Sequence, residues 1–421
     1  MNKWKLYNPE GMQDILNENC YIKRNAEENL RKMYLVNGYM EIETPLVEFY
    51  DVFSAVGSGT AMQSTYKMID EKGRILTVRP DMTIPAARVA ATKIRDDRFP
   101  VKLFYTGKCM RSDDFGGGRQ KEFTQSGVEI IGSKSLFYDA LVIATAVGAL
   151  QAIGMEEFII ELGQVDFFKG LMELAGLGDD DSEKIRKMID SKDFFGVEEM
   201  LLGRQMDDGV RNLLLNLPSY YGKREMLQDV RGRASSSRLL GSIDELLGLL
   251  DILDDFGVSE YISVDLGMVK RLDYYTGIIF RGMTYGMGFP ILGGGRYDTL
   301  CEKFGKPMAA TGFSLGLDMA LTAIYRNKGE TAGAISSDSI ICFGPDGRQD
   351  ALKAAAALKS QQLKVELMPV ENGLESVKAY AAAKDIKGLL YAVGNGIMEV
   401  IDLEKGTVST ADLRDMGGME L

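Results

Sequence analysis

Residues Phe104 to Gly132 read FYTGKCMRSDDFGGGRQKEFTQSGVEIIG. Phe104-Tyr105 opens one β-rich run, and Phe123 to Ile131 makes a second that ends in Val128, Ile130 and Ile131. Between them Ser112 to Gly118, with three consecutive glycines, predicts a long hairpin loop rather than a two-residue turn. Arg111 and Arg119 flank that loop. Gln125 and Glu129 stand four residues apart on the returning run, so the two-residue period of a strand puts both on one face, where a small polar ligand could meet them. A lone hairpin of this kind is more simply read as amphipathic, with one solvated face.

A second stretch changes that weighting. Val264 to Asp298 is again strand-like and again glycine-rich before an Arg-Tyr-Asp: VDLGMVKRLDYYTGIIFRGMTYGMGFPILGGGRYD. RLDYYTG (Arg271 to Gly277) followed by GGGRYD (Gly293 to Asp298) resembles the paired histidine-recognition signatures of histidyl-tRNA synthetases, and the arginine-bearing hairpin then resembles motif 2 of that class, with Arg111 as its arginine. The resemblance covers roughly residues 1 to 325. It implies an α+β fold: a class II synthetase-like antiparallel sheet flanked by helices, with a helical insertion and a small C-terminal α/β domain.

Composition narrows the chemistry. The 421 residues suit two or three units, and 45% hydrophobic with 26% charged residues suits an ordinary globular core. Trp4 to Asn25 is interrupted by polar residues and joins no basic stretch to an apolar core, and no run reaches membrane-spanning length, so a cytoplasmic protein without membrane contact is expected. The four cysteines, Cys20, Cys109, Cys301 and Cys342, have no paired spacing, which argues for reduced thiols and against a metal site. Lys plus Arg number 49 against 61 acids, a balance that disfavours a broad nucleic-acid footprint. The chain has no histidine at all, so any chemistry would fall to carboxylate, Lys, Tyr or Cys.

Taken in order, Asn8 to Leu16 resembles the opening segment of the same family and leads into a helix expected over Tyr21 to Asn37. Gly38 to Phe53 alternates and then meets Pro45, which confines it to an edge; it resembles motif 1, at the dimer interface of the family, and reads equally well as a plain edge strand. Thr65 to Ala91 predicts a hairpin across Glu71-Lys72-Gly73 and a helix starting near Pro85. Asp81 and Thr83 just before that helix would pass for a cap on their own. Residues 1–328 are expected to form the synthetase-like domain, with 166–256 as a helical insertion whose clearest amphipathic stretch is Leu239 to Leu253. A small-residue linker at 329–339 then leads to 340–421, read as a small parallel α/β domain resembling an anticodon-binding domain.

The family's pocket is largely matched. Glu129 and Tyr275 fall where the family reads the two imidazole nitrogens of histidine, a pairing that suits a ring with one donor and one acceptor. Asp81, Thr83 and Gln125 match the amino-group partners, although Asp81 is shorter than the family's glutamate. Three departures fall elsewhere. Motif 3 runs Gly312-Phe313-Ser314-Leu315-Gly316-Leu317-Asp318-Met319, with methionine where an arginine should neutralise ATP phosphates. Lys270 replaces an arginine ahead of Leu-Asp-Tyr-Tyr, with Arg271 in place of the intervening glycine; lysine lacks the planar fork. Residues 331–421 carry 9 Lys and Arg against 13 Asp and Glu, the wrong sign for gripping tRNA.

A kept amino-acid reader beside lost activation chemistry resembles the regulatory subunits of ATP phosphoribosyltransferase, non-catalytic paralogues of the synthetases. That resemblance implies no cofactor and no catalytic residue of this chain's own. It implies a catalytic transferase subunit as partner in the first step of histidine biosynthesis, a homodimer within a hetero-oligomer and histidine as ligand, held by Asp81, Thr83, Gln125, Glu129, Lys270, Arg271 and Tyr275. It leaves open a role in feedback inhibition. A divergent histidyl-tRNA synthetase is the enzymatic alternative, and a paralogue acting on another amino acid stays open as well.

Overall fold

The computed structural model describes residues 3–56, 65–112, 120–269, 275–328 and 337–413. Lys270, Arg271 and the hairpin loop tip with Arg119 lie outside the described residues. Residues 1–15 and 22–330 form one compact unit, and residues 16–21 join 331–421 in the second.

The first unit is built on a nine-stranded sheet. Its strands are β1 (Met40–Glu41), β5 (Val101–Met110), β6 (Glu122–Ile131), β7 (Phe158–Gln164), β8 (Tyr221–Gly222), β9 (Ile262–Asp265), β10 (Ile278–Thr284), β11 (Leu292–Arg296) and β12 (Ala310–Gly316), in the order β1-β5-β6-β12-β11-β10-β7-β9-β8. The run from β5 to β7 is antiparallel throughout. Parallel pairs at the two ends, β1 with β5 and β7 with β9, make the whole sheet mixed. A separate three-stranded sheet, β2 (Val47–Phe49), β4 (Ile75–Val78) and β3 (Lys67–Ile69), holds the hairpin expected across Glu71-Lys72-Gly73. The expected edge strand at Gly38 to Phe53 is thus two short strands, one in each sheet, and Pro45 lies in the break between them.

Alternation along the strands sorts side chains onto two faces. Phe104, Val128, Ile130, Phe280, Leu292, Phe313 and Leu315 share the larger core with the helices Asn17–Val36, Leu136–Ala152 and Ser237–Asp255. The helix Leu136–Ala152 buries Ala140, Val142, Ile143, Ala146, Val147, Ala149 and Leu150, an apolar circumference that suits a helix covered on all sides. On the opposite face Leu103, Ile131, Tyr297 and Ala310 pack beneath the helix Thr83–Lys93. Leu239 to Leu253 is helical within Ser237–Asp255, where its leucine stripe is buried.

In the second unit β13 (Ser339–Phe343), β14 (Val365–Pro369) and β15 (Gly388–Gly394) are parallel, and the helices Arg348–Ser360 and Leu374–Ala383 connect them. The sheet does not stop there: β16 (Ile397–Asp402) and β17 (Thr407–Asp412) extend it as an antiparallel meander. The expectation of an all-parallel unit is therefore corrected to a mixed sheet. Gly394-Asn395-Gly396, with positive φ at all three residues, makes the tight turn that sends β16 back along β15.

Candidate functional site

Glu129 is fully buried on the face of the sheet that carries the helix Thr83–Lys93. Tyr105 Oη donates to its Oε1 at 2.9 Å, and Tyr297 Oη donates to its Oε2. The Thr83 hydroxyl lies 3.2 Å from Tyr105 Oη, which extends the chain of polar groups to the start of the helix. Space for the carboxyl comes from glycine. Gly312 pairs with Glu129 across the β12–β6 ladder, and Gly127 sits in register with Tyr105, where a Cβ would fall 2.9 Å from the phenol oxygen.

Gln125 is on the same face and nearly buried, and its Oε1 accepts from the backbone N–H of Met82 at 2.8 Å and from Cys109 Sγ at 3.3 Å. Asp81, one residue before the N-cap Met82, accepts from the backbone N–H of Ile84 at 3.1 Å at the start of the helix Thr83–Lys93. The Arg111 guanidinium lies 5.3 Å from the centre of the Phe123 ring, and its Nε donates to the Pro80 carbonyl at 2.8 Å. Tyr275 packs against the cluster that contains Tyr297, and a Cβ on Gly295 would stand 3.0 Å from its ring. The structure thus gathers Asp81, Thr83, Gln125, Glu129 and Arg111 along β5, β6 and the approach to one helix, with Tyr275 beside them.

Sequence reading missed Tyr105, Tyr297 and Arg79. Arg79 is 5% exposed and donates to the carbonyls of Lys108 (2.8 Å) and Thr44 (2.5 Å), tying the segment before Asp81 to β5. Tyr297 lies within GGGRYD, and Tyr105 is an aromatic at an inward position of the first β-run, so the residue types were visible. What they touch was not.

Burial pushes the Glu129 carboxyl up to about 7, a rise opposed by hydrogen bonds from Tyr297, Tyr105 and Thr83 and reinforced by the charge of Asp81. Burial likewise raises Asp81, against the pull of Arg111. The Cys109 thiol is pushed up to about 12 by burial, which makes it a poor nucleophile. Among the described residues no group of three or more Cys, Asp or Glu side chains is arranged to hold a metal ion. The cluster holds a carboxyl that can accept an N–H, phenols that can donate or accept, and a guanidinium close to Asp81.

The motif 3 position is occupied differently. Met319 lies in the first turn of the helix Leu317–Lys328, half-buried against the larger core, and carries no charge. Its neighbour Asp318 takes the Lys23 ammonium at 2.5 Å and the backbone N–H of Thr124 at 2.5 Å, which ties the helix Asn17–Val36 to β6.

Comparison with known proteins bears directly on this combination. Residues 11–320 match the histidyl-tRNA synthetase family model. An ATP phosphoribosyltransferase regulatory subunit of Acetivibrio thermocellus is 46% identical over 416 residues, which cover 99% of each chain. The chain belongs to the family of ATP phosphoribosyltransferase regulatory subunits. A second such subunit, from Ruminiclostridium cellulolyticum, is 45% identical over 96% of each chain. Among solved structures, one described as an ATP phosphoribosyltransferase regulatory subunit/histidyl-tRNA synthetase from Bacillus halodurans aligns with a TM-score of 0.83 at 30% identity, covering 93% of this chain and 99% of that one. Within this family the uncharged Met319 agrees with a non-catalytic subunit, and the class II synthetase-like fold is shared. Among the described residues no helix is long and apolar enough to cross a membrane.

Proposed function

We propose that this chain is a histidine-binding regulatory subunit whose pocket around Glu129 reads the imidazole ring while its catalytic partner transfers the phosphoribosyl group. The observation that carries the reading is Glu129 itself, a fully buried carboxyl held by two phenols in a space cleared by glycine. A buried carboxyl is costly to keep unless a partner repays its desolvation, and an imidazole N–H is a partner of the right size and polarity. Tyr275 is the proposed second reader, with Lys270 and Arg271 at the ligand's carboxyl end. Asp81, Thr83 and Gln125 are the proposed partners of its amino group; Asp81 and Gln125 also hold backbone N–H groups.

The loss of a charged residue at Met319 supports binding without activation. Relatives named as regulatory subunits of ATP phosphoribosyltransferase support a catalytic transferase subunit as partner; the proposed location of the complex is the cytoplasm. The proposal includes a homodimer formed through Gly38 to Phe53; of the aromatics expected to be exposed there, Phe49 is, Tyr50 is half-buried and Phe53 is buried, while Met40 and Leu46 are exposed.

Isothermal titration of histidine into the purified chain tests the pocket, and histidine-dependent ATP–pyrophosphate exchange tests the enzymatic alternative. Binding without exchange is expected. Exchange above background would make the chain a synthetase, and absence of binding would make the pocket a relic.

A further inference from the structure

Arg296 and Tyr297 are adjacent in the chain but serve opposite faces of the sheet. Tyr297 reaches Glu129 on the pocket face, whereas Arg296 turns to the helix Leu136–Ala152 on the other. There its side chain is 6% exposed and that of Asp139 is 2% exposed. Nε and Nη2 both donate to Asp139 Oδ2, at 3.1 and 2.5 Å. Nη1 donates to the Ser133 carbonyl at 3.1 Å and to Asp298 Oδ1 at 3.3 Å, and Nη2 also reaches the Ser135 carbonyl at 3.4 Å. A guanidinium with this many fixed acceptors has no rotational freedom, so the strand end that carries it is held in one orientation.

The same residues lock the other tyrosine. Thr276 N donates to the Arg296 carbonyl at 2.8 Å, and Asp298 N donates to Thr276 Oγ1 at 3.0 Å. Tyr275 therefore enters the pocket region from a peptide tied to the residues on either side of Tyr297. Tyr297 N in turn donates to the Ala310 carbonyl at 2.7 Å, and Asp298 Oδ1 accepts from Ala310 N at 3.2 Å. Both signature segments are thus tied together beside one buried ion pair on the far face of the sheet.

We propose that Arg296 and Asp139 are positioning residues for the pocket, holding the Tyr297 hydroxyl on Glu129 and Tyr275 beside it from the far side of the sheet. A purely stabilising pair would matter to folding alone, whereas a positioning pair also sets the surroundings of the Glu129 carboxyl. The groups that face that carboxyl are Tyr105, Tyr297 and Thr83, with the Asp81 carboxyl and the Cys301 thiol nearby and Tyr39 across the sheet. Of these only Tyr297 is attached to Arg296.

The inference deepens the proposed reading of the pocket, yet it can be tested without a ligand. Infrared difference spectra of the full chain resolve the protonated Glu129 carboxyl as the band lost in Glu129→Gln. Its pH midpoint is then compared between wild type, Arg296→Lys and the isosteric, milder Asp139→Asn. Weakening the Tyr297 hydrogen bond, which favours the ionised form, should move the midpoint upward by about one unit and weaken histidine binding about tenfold. An unchanged midpoint in both folded variants, with only the melting temperature lowered, would overturn positioning. A shifted midpoint in a chain that binds no histidine would instead overturn the histidine reading and leave positioning standing.

Discussion

Gly312 stands directly opposite Glu129 in the β12–β6 ladder, and a Cβ on Gly312 would fall 1.7 Å from Glu129 Oε2 and 2.5 Å from the Val128 carbonyl. The carboxyl occupies the volume that any side chain at 312 would need. Gly312→Ala should therefore push Glu129 off its two phenols or part the strands, at about 1–3 kcal/mol of overpacking. Gly241→Ala is the contrasting control: it lies inside the helix Ser237–Asp255 with nothing near its Cβ, and should stabilise by roughly 0.5–1 kcal/mol. Urea denaturation of both variants reads the two signs.

The raised Glu129 carboxyl has a consequence for folding. Its ordinary value is 4.5 and its folded value is about 7, so the folded state holds a proton that the unfolded state has released across that interval. Stability from this group is fully present below about pH 4.5 and is lost as pH rises to about 7, on the order of 3 kcal/mol in all. Glu129→Gln removes the term. The stability difference between variant and wild type should grow in favour of the variant over that window and level off above it, as measured by denaturation at a series of pH values.

In binding, the order of effects is opposite to that in folding. Above about pH 7, where the Glu129 carboxyl is ionised, Glu129→Gln replaces a charged acceptor by an amide and should weaken histidine by about 1.5–3 kcal/mol. Tyr275→Phe removes a bond between neutral groups and should cost about 0.5–1.5 kcal/mol. Calorimetric titration of both variants checks the ranking, and equal affinity in all three proteins would show that histidine is sensed elsewhere.

Lys23 and Asp318 pair with side chains 8% and 16% exposed. Asp318→Ala strands a buried ammonium and the Thr124 N–H, so a loss of about 3–5 kcal/mol is expected. Lys23→Met combined with Asp318→Ala should recover part of it, because the unpaired charge is gone. Denaturation of the single and double variants gives the coupling directly.

The exposed apolar residues between Gly38 and Phe53 call for a partner surface. Sedimentation at micromolar concentration should show a two-fold dimer, and Phe49→Asp, at a residue 46% exposed, should shift it toward monomer without unfolding it. A wild-type monomer would rule out this interface.

Much of the architecture could be read from local pattern. Alternation placed Gln125 and Glu129 on one face of a returning strand, leucine spacing marked the helix within Ser237–Asp255, and the two glycine-rich signatures pointed to the class II synthetase-like sheet, because period and turn chemistry are properties of neighbouring residues. Partners and directions were a different matter. Tyr105 and Tyr297 meet Glu129 from 24 and 168 residues away, and Lys23 meets Asp318 across 295. Nothing in the pattern of β15 to β17 told which way its last strands ran; the structure pairs β16 antiparallel with β15 and β17 antiparallel with β16. The sequence by itself determined which residues were strand, helix and glycine, and which chemistry they could offer. Only tertiary structure decided which carboxyl was buried against which phenol, because hydrogen-bond partners and desolvation depend on sheet register between distant segments.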